Sequence, residues 1–188
     1  MAILPIYTYN DDVLREEAEP VRENSDELQK LIDDMFETMY HADGVGLAAP
    51  QVGKTIRLFV CDTDVMADDD EPTYGPIAFL NPEIGSESDD SVELEEGCLS
   101  IPGVNGPVTR PESIEVEYLD RNLKKQKLQA SGWTARVIQH EIDHLDGILF
   151  VDHLSSFKRK LLYPELKKIE RGNKETSYPL ASKEKMAN

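Results

Sequence analysis

The segment 140–144 carries residues with the types and spacing of a metal site: His140, Glu141 and His144. Residues four apart share a helix face, so both imidazoles can reach one metal ion, and Glu141 borders that face. Two neutral imidazoles beside a carboxylate are typical of a hydrolytic site, in which the metal lowers the pKa of bound water towards about 7. A chance match on a surface helix is the alternative, and the metal site is favoured.

A catalytic centre of this kind needs a third protein ligand and keeps one position open. Cys61 ends an apolar run and is typical of a small buried residue, whereas His41 closes a helix and His153 has no helical register with the histidine pair. Carboxylates are further candidates. We select Cys98, as a thiolate, because the preceding Gly97 permits close approach of the backbone.

A third segment, 44–53, is rich in glycine and alanine. It lacks the Lys-Ser/Thr pair of a phosphate-binding loop and the glycine spacing of a dinucleotide site. A tight loop between closely packed backbones is the simplest interpretation. If a metal site lies nearby, Gln51 could aim its amide N–H at a developing oxyanion.

Together these segments resemble the peptide deformylases. The family pattern is a Gly-x-Gly-Leu-Ala-Ala-x-Gln loop, a Glu-Gly-Cys-Leu-Ser segment and a Gln-His-Glu-x-Asp-His-Leu helix. All three occur here in that order, at 44–51, 96–100 and 139–145, without a departure inside them. The resemblance extends from residue 4 to residue 155, so it covers nearly the whole chain.

The resemblance implies hydrolysis of the N-formyl group of formyl-methionine on newly made polypeptides, with release of formate. Glu141 would act as the general base towards water and then as the proton donor to the leaving amine. Gln51 and the backbone N–H of Leu99 would stabilise the oxyanion. The implied metal is one divalent ion, most commonly Fe²⁺, although Zn²⁺, Ni²⁺ and Co²⁺ also suit the donors. Its implied ligands are Cys98, His140 and His144.

The resemblance also implies an apolar pocket for the methionine side chain. Trp133 and Val137 could equally be core residues, since both lie on the apolar stripe of the same helix. A buried carboxylate beside a metal needs a partner, and we expect Arg110 to pair with Glu96, although a surface pair is the alternative. The implied lining consists of Val45, Gly46, Glu96, Gly97, Trp133, Val137 and His140.

Two other classes of protein compete with this interpretation. A metallo-endopeptidase shares the His-Glu-x-x-His helix but usually takes its third ligand downstream, whereas Cys98 lies upstream. A purely structural metal module more often has four ligands and no use for a helix glutamate as base.

The elements that must position these residues follow from hydrophobic periodicity. We predict helices over about 24–42, 133–146 and 155–171, and strands over 56–61, 77–80, 92–94 and 114–118. Asn24 with Glu27 would cap the first helix and Gly44 would end it. The fold class is α+β, with small mixed or antiparallel sheets around a central metal-binding helix and further helices near each end. Residues 1–172 would form one catalytic domain, and 173–188 a polar, flexible tail.

Composition narrows the functional classes. The 188 residues hold 20 basic and 37 acidic side chains, a net charge of −17 that disfavours a general nucleic-acid-binding protein, and we expect no binding to DNA. Two cysteines are too few for a disulfide scaffold, and no apolar run is long enough to span a membrane. The N-terminal residues lack the pattern of a signal peptide, so we expect a cytoplasmic protein. The acidic stretch 62–76 is typical of a solvated surface loop.

The net charge of the chain is negative, but a segment near its end is positively charged. Between Lys158 and Lys174 there are seven basic residues against two acidic ones. A basic helix could hold an enzyme of nascent chains near ribosomal RNA. A solvated face with cations near a helix C-terminus explains the pattern equally well.

Overall fold

The computed structural model describes residues 1–66 and 72–181. Within these residues the longer elements are three α-helices and seven strands. The helices are α1 (Asp26–His41), α2 (Gly132–Leu145) and α3 (Ser156–Glu170). The strands are β1 (Gly46–Ala48), β2 (Leu58–Cys61), β3 (Ile77–Glu87), β4 (Ser91–Gly97), β5 (Asn105–Pro111), β6 (Ser113–Leu119) and β7 (Lys125–Ser131).

The strands form two antiparallel sheets. One has five strands in the order β1-β2-β3-β6-β7, and the other is the β4-β5 hairpin. The pairing of β3 with β6 shifts register between Leu80 and Glu83, and again between Ile84 and Ser86, so β3 bends there. The predicted α+β class is confirmed, and the paired strands described here are all antiparallel.

Helix α2 packs on the five-stranded sheet because its apolar side chains recur at helical spacing. Ala135, Ile138 and Ile142 are buried in one cluster with Phe59 and Phe79 of the sheet. The two rings stack at 4.6 Å between centroids. This packing fixes the helix that carries the histidine pair.

Helix α1 is buried along one stripe, as its periodicity predicts, but its ends differ from the prediction. The N-cap is Ser25, whose Oγ accepts a hydrogen bond from Leu28 N at 3.2 Å. Asn24 instead accepts a bond from the side chain of Gln29, so the predicted Asn24 cap is wrong. The helix ends at His41, and the left-handed residue after it is Asp43, with φ of 53°, rather than Gly44.

The other two helices lie where the sequence predicts them. Gly147, with φ of 71°, follows the end of α2, and a Cβ there would lie 2.7 Å from the carbonyl oxygen of Arg15. Ser155 caps α3 through a bond from Lys158 N, and Gly172 follows its end with φ of 69°. The four predicted strands are present, but β1, β5 and β7 were not predicted.

The expected tail and the acidic loop are described only in part. Residues up to Ala181 return to the domain, where Ile6 N donates to Pro179 O at 2.9 Å and Ala181 N donates to Ile6 O at 2.8 Å. In the acidic stretch, Asp64 accepts bonds from the backbone N–H groups of Tyr74 and Gly75. Residues 67–71 and 182–188 lie outside the described residues, and the domain boundary at 172 stays a prediction. Among the described helices, none combines the length and apolar character needed to cross a bilayer.

Candidate metal centre

Three side chains converge near the C-terminal end of α2, two of them on that helix and the third just after β4. The ligand atoms of Cys98, His140 and His144 all lie within 4.8 Å of one another. Sγ of Cys98 is 3.2 Å from Nε2 of His144. The two imidazoles lie one helical turn apart, and Cys98 directly follows β4. One thiolate and two imidazoles at these separations can hold a single divalent ion with a position left open.

The imidazole of His140 is oriented by a carboxylate of β4. Nδ1 of His140 lies 3.0 Å from Oε2 of Glu96, which leaves Nε2 of His140 for the cluster. Glu96 in turn forms a two-bond pair with Arg110, at 2.7 Å and 3.0 Å. The expected Glu96–Arg110 pair is therefore present, and it is buried rather than superficial.

A second buried arginine, Arg136, was not predicted. Its Nη1 lies 2.9 Å from Oε1 of Glu96 and donates to the carbonyl of Val108 at 2.7 Å. Nη2 donates to the carbonyl of Val92. Its position four residues before His140 places the two side chains on the same face of α2, but this spacing does not identify Glu96 as the partner.

Burial and hydrogen bonds shift the pKa values of the groups around the two imidazoles in different directions. Burial opposes the charge on Glu96, yet its hydrogen bonds with His140 and Arg110 hold its pKa well below the usual range. Burial likewise opposes a charge on His140, but hydrogen bonds with Cys98 and Glu96 raise its pKa well above the usual value. Burial and the neighbouring His140 lower the pKa of His144. One thiol and two imidazoles, with ligand atoms within 4.8 Å of one another, are a donor set that fits a divalent metal ion.

Glu141 points its carboxylate into the same region. It is 4% exposed, and burial raises its pKa to about 7. Among the described residues, its Oε2 and Nδ1 of His144 are buried atoms without a hydrogen-bond partner. A Cβ on Gly46 would overlap the Glu141 carboxylate, which explains a glycine at this place in the 44–53 segment. An unpartnered carboxylate near neutrality can take up and release a proton.

Gln51 is fixed by its carbonyl end and presents its amide N–H to the centre. Its Oε1 accepts a bond from Ala48 N at 2.8 Å, and its Nε2 lies 3.5 Å from Sγ of Cys98. Nε2 also donates to the hydroxyl of Ser100 at 3.2 Å. Leu99, the residue between Cys98 and Ser100, lines the same cleft.

The centre opens into a cleft with a volume of about 640 Å³. Val137 lines the cleft and is also buried in the core cluster, and its contact with a methionine side chain stays a prediction. The cleft brings together the predicted site residues other than His144, which is buried beneath it, and its lining includes Met66 and Tyr178, which were not predicted. The predicted residues in the lining are Val45, Gly46, Gln51, Glu96, Gly97, Cys98, Leu99, Trp133, Val137, His140 and Glu141.

The alternative ligands lie elsewhere. Cys61 is buried in the sheet core, and burial raises the pKa of its thiol far above the usual value. His41 is exposed at the end of α1. His153 contacts Asp143 at 2.8 Å, with its Nε2 atom facing that carboxylate.

Comparison with known proteins decides the family. The family model described as polypeptide deformylase matches residues 3–160. The chain belongs to the polypeptide deformylase family. A peptide deformylase of Salinibacter ruber is 54% identical over 187 residues, covering 97% of this chain and 96% of the relative. One from Chlorobium phaeovibrioides is 48% identical over 179 residues, covering 95% and 93%.

Solved deformylase structures share the fold. The peptide deformylase of Ehrlichia chaffeensis in complex with actinonin matches with a TM-score of 0.84 and 40% identity, covering 93% of this chain and all of that one. The enzyme of Legionella pneumophila matches with a TM-score of 0.81 and 46% identity, covering 90% and 96%. The family resemblance of the sequence is thus confirmed. The chain is a metal-dependent hydrolase that removes the N-formyl group from nascent peptides.

Proposed function

We propose that deformylation takes place at the cluster of Cys98, His140 and His144, with Glu141 as the group that moves protons. The observation that carries the proposal is the buried Oε2 of Glu141, which has no hydrogen-bond partner among the described residues and lies beside three converging side chains that could hold a metal ion. A divalent ion held by those three residues would supply Lewis acidity, which would lower the pKa of a water molecule and polarise the formyl carbonyl.

The carboxylate of Glu141 accepts a proton from the attacking water at Oε2 and later gives it to the leaving amine. Burial raises the pKa of Glu141 to about 7, so both directions of transfer are accessible near neutrality. Water adds to the formyl carbon, the C–N bond breaks, and the products are formate and a free amino terminus.

Negative charge develops on the former formyl oxygen during this addition. Gln51 Nε2 is held beside the centre by the bond that its own Oε1 accepts, so little reorganisation is needed. The backbone N–H of Leu99, next to Cys98 in the chain, is the second proposed donor. Fixed donors of this type commonly contribute about 10²–10³ to the rate.

The side chain of the formylated methionine occupies the apolar part of the cleft. Val45 and Trp133 supply apolar surface there, and Gly46 and Gly97 leave room for the peptide backbone. An unbranched thioether side chain adapts well to such a pocket. The proposed substrate-contacting residues are Val45, Gly46, Glu96, Gly97, Trp133 and Val137.

The function is tested by incubating the metal-loaded chain with formyl-Met-Ala-Ser and measuring formate. Unformylated Met-Ala-Ser and a peptide with many internal bonds serve as controls. We expect formate from the first substrate alone and no internal cleavage. Internal cleavage without formate would instead identify a metallo-endopeptidase.

For the metal we propose Fe²⁺. A thiolate beside ferrous iron exposes both metal and sulfur to oxidation, so anaerobically purified protein should contain iron and lose activity in air. Replacement by Ni²⁺ or Co²⁺ should protect it. Equal stability of the iron and nickel forms in air would contradict this assignment.

A further proposed partner is the ribosome, contacted by the basic side chains of α3. Lys158 and Lys160 are exposed, whereas Lys167 and Lys168 pair with acidic residues of the same helix. Phosphates of ribosomal RNA are the complementary charge. Because nascent chains are made in the cytoplasm, we also place the enzyme there.

A further inference from the structure

The segment that follows α3 runs back across the domain and forms one wall of the cleft. At its start, Lys174 Nζ lies 3.8 Å from Oε2 of Glu165. Further along, the backbones of Pro179 and Ala181 pair with Ile6. Between these two anchors, three residues line the cleft that holds the metal-binding cluster: Thr176, Ser177 and Tyr178.

Tyr178 connects this wall to the residue after Cys98. Its hydroxyl donates to the carbonyl oxygen of Leu99 at 2.8 Å, across 79 positions of the chain. The backbone of Tyr178 is itself held, because its carbonyl accepts a bond from the hydroxyl of Thr176 at 2.6 Å. The tyrosine hydroxyl therefore reaches Leu99 from a fixed base.

The backbone carbonyls on either side of Leu99 are also hydrogen-bonded. Cys98 O accepts from Ile101 N at 2.9 Å, and Ser100 O accepts from Tyr9 N at 2.9 Å. The Leu99 carbonyl lies between them, and its partner is the hydroxyl of Tyr178. Three consecutive carbonyls are thus each held. Ile101 N holds the Cys98–Leu99 peptide group, which carries the Leu99 N–H, and Tyr178 holds the Leu99–Ser100 peptide group that follows it, so rotation about both backbone bonds of Leu99 is limited.

We infer that Tyr178 is a positioning residue for deformylation, which fixes the Leu99 backbone so that its N–H faces the developing oxyanion. The inference rests on the proposed role of Leu99. Tyr178 acts through Leu99 and contacts none of the three metal-binding side chains in the hydrogen bonds described here. Its effect is therefore expected on the transition state and not on metal binding.

The test compares Tyr178→Phe with Tyr40→Phe in the metal-loaded full chain. Tyr40 also donates a hydroxyl bond, at 2.7 Å to Asp62, but it lies on α1 outside the cleft lining. We measure kcat and KM with formyl-Met-Ala-Ser, bound metal and Tm. Tyr178→Phe should lower kcat at least about fivefold while KM changes less than about twofold, because one oriented hydrogen bond is lost. Bound metal should match the wild type, and Tyr40→Phe should retain wild-type kcat.

A kcat of Tyr178→Phe within about twofold of wild type would overturn the inference. A fall in kcat that only matches a fall in bound metal would overturn it too, because Tyr178 would then support the centre itself. In both cases the wild type is active, so the proposed function survives. A wild-type chain that releases no formate would overturn function and inference together.

Discussion

Oε2 of Glu96 lies 3.0 Å from Nδ1 of His140, so the strand that leads to Cys98 also orients one of the proposed metal ligands on α2. Arg110 and Arg136 both contact the Glu96 carboxylate, and all three side chains are buried. This cluster joins the two-stranded sheet to the helix on the larger sheet. One buried carboxylate between two guanidinium groups thus links the strand before Cys98 to the helix that carries His140 and His144.

Replacing Glu96 by alanine should damage both stability and metal binding. The buried Arg136 would lose its carboxylate while Arg110 would keep Asp143 at 2.8 Å, and breaking such a buried pair costs about 3–5 kcal/mol of unfolding free energy. Metal affinity should fall about 10- to 100-fold because His140 loses its orienting partner. Urea unfolding of the metal-free chain and competition with a chelator measure the two effects.

The matched control is Glu93→Ala, since Glu93 is exposed on the same strand. It should change the unfolding free energy by less than about 0.5 kcal/mol. Equal stability of the two variants would show that the buried cluster does not hold the centre together.

A methyl group on Gly46 should disturb catalysis without removing the metal. The added Cβ overlaps the carboxylate of Glu141, which must shift. A displaced general base should lower kcat at least about tenfold. Gly85→Ala is the control, because a Cβ there meets nothing closer than 3.4 Å. Formate release measures the kcat of both variants, and elemental analysis measures their bound metal. A Gly46→Ala variant with wild-type kcat would show that the Glu141 carboxylate is not the general base.

The two cysteines should behave differently towards metal and thiol reagents. Cys98→Ala should lose bound metal, whereas Cys61→Ala should keep it. Burial raises the pKa of Cys61, so its thiol stays protonated and unreactive from pH 7 to pH 9 in the native protein. Cys98→Ala should therefore show no reactive thiol over that range until it is unfolded. The reverse pattern of metal loss would mean that Cys61 is the ligand.

Ribosome binding, if electrostatic, should weaken steeply with added salt and with charge reversal on α3. Lys158→Glu with Lys160→Glu should reduce co-sedimentation with ribosomes and leave turnover of short peptides unchanged. Reversal is preferable to truncation because Leu166 and Ile169 of α3 belong to the core. The control is the double variant Lys124→Glu with Lys125→Glu, which makes the same change in charge on a surface away from α3. It should bind ribosomes like the wild type. Equal binding by both double variants would refute the role of α3.

The sequence revealed the parts of this molecule that depend on local pattern. Residues close together in the chain were enough to predict three features. These are the buried apolar face of α1, the histidine spacing of α2, and the glycine after each of α2 and α3. Strand β7 was missed because Lys125-Gln126-Lys127 has little apolar alternation, and its pairing with β6 comes from tertiary context. Strand β5 was missed because its glycine and prolines are typical of turns.

The long-range contacts of the site were harder to foresee. Arg110 was expected from the need of a buried carboxylate for a partner. Arg136 and Tyr178 reach their partners across 40 and 79 positions, and no local rule links those segments. The expectation of a flexible tail missed the contacts of residues 173–181 for the same reason, because polar composition describes solubility and not specific backbone pairing.

The most direct test of the account is the activity of Glu141→Gln with its full complement of metal. The amide keeps the size of the side chain but cannot accept the proton from water. We expect bound metal equal to wild type and a kcat for formate release from formyl-Met-Ala-Ser lower by about 10³-fold. A metal-replete Glu141→Gln whose kcat stays within about tenfold of wild type would contradict the central role given to this carboxylate.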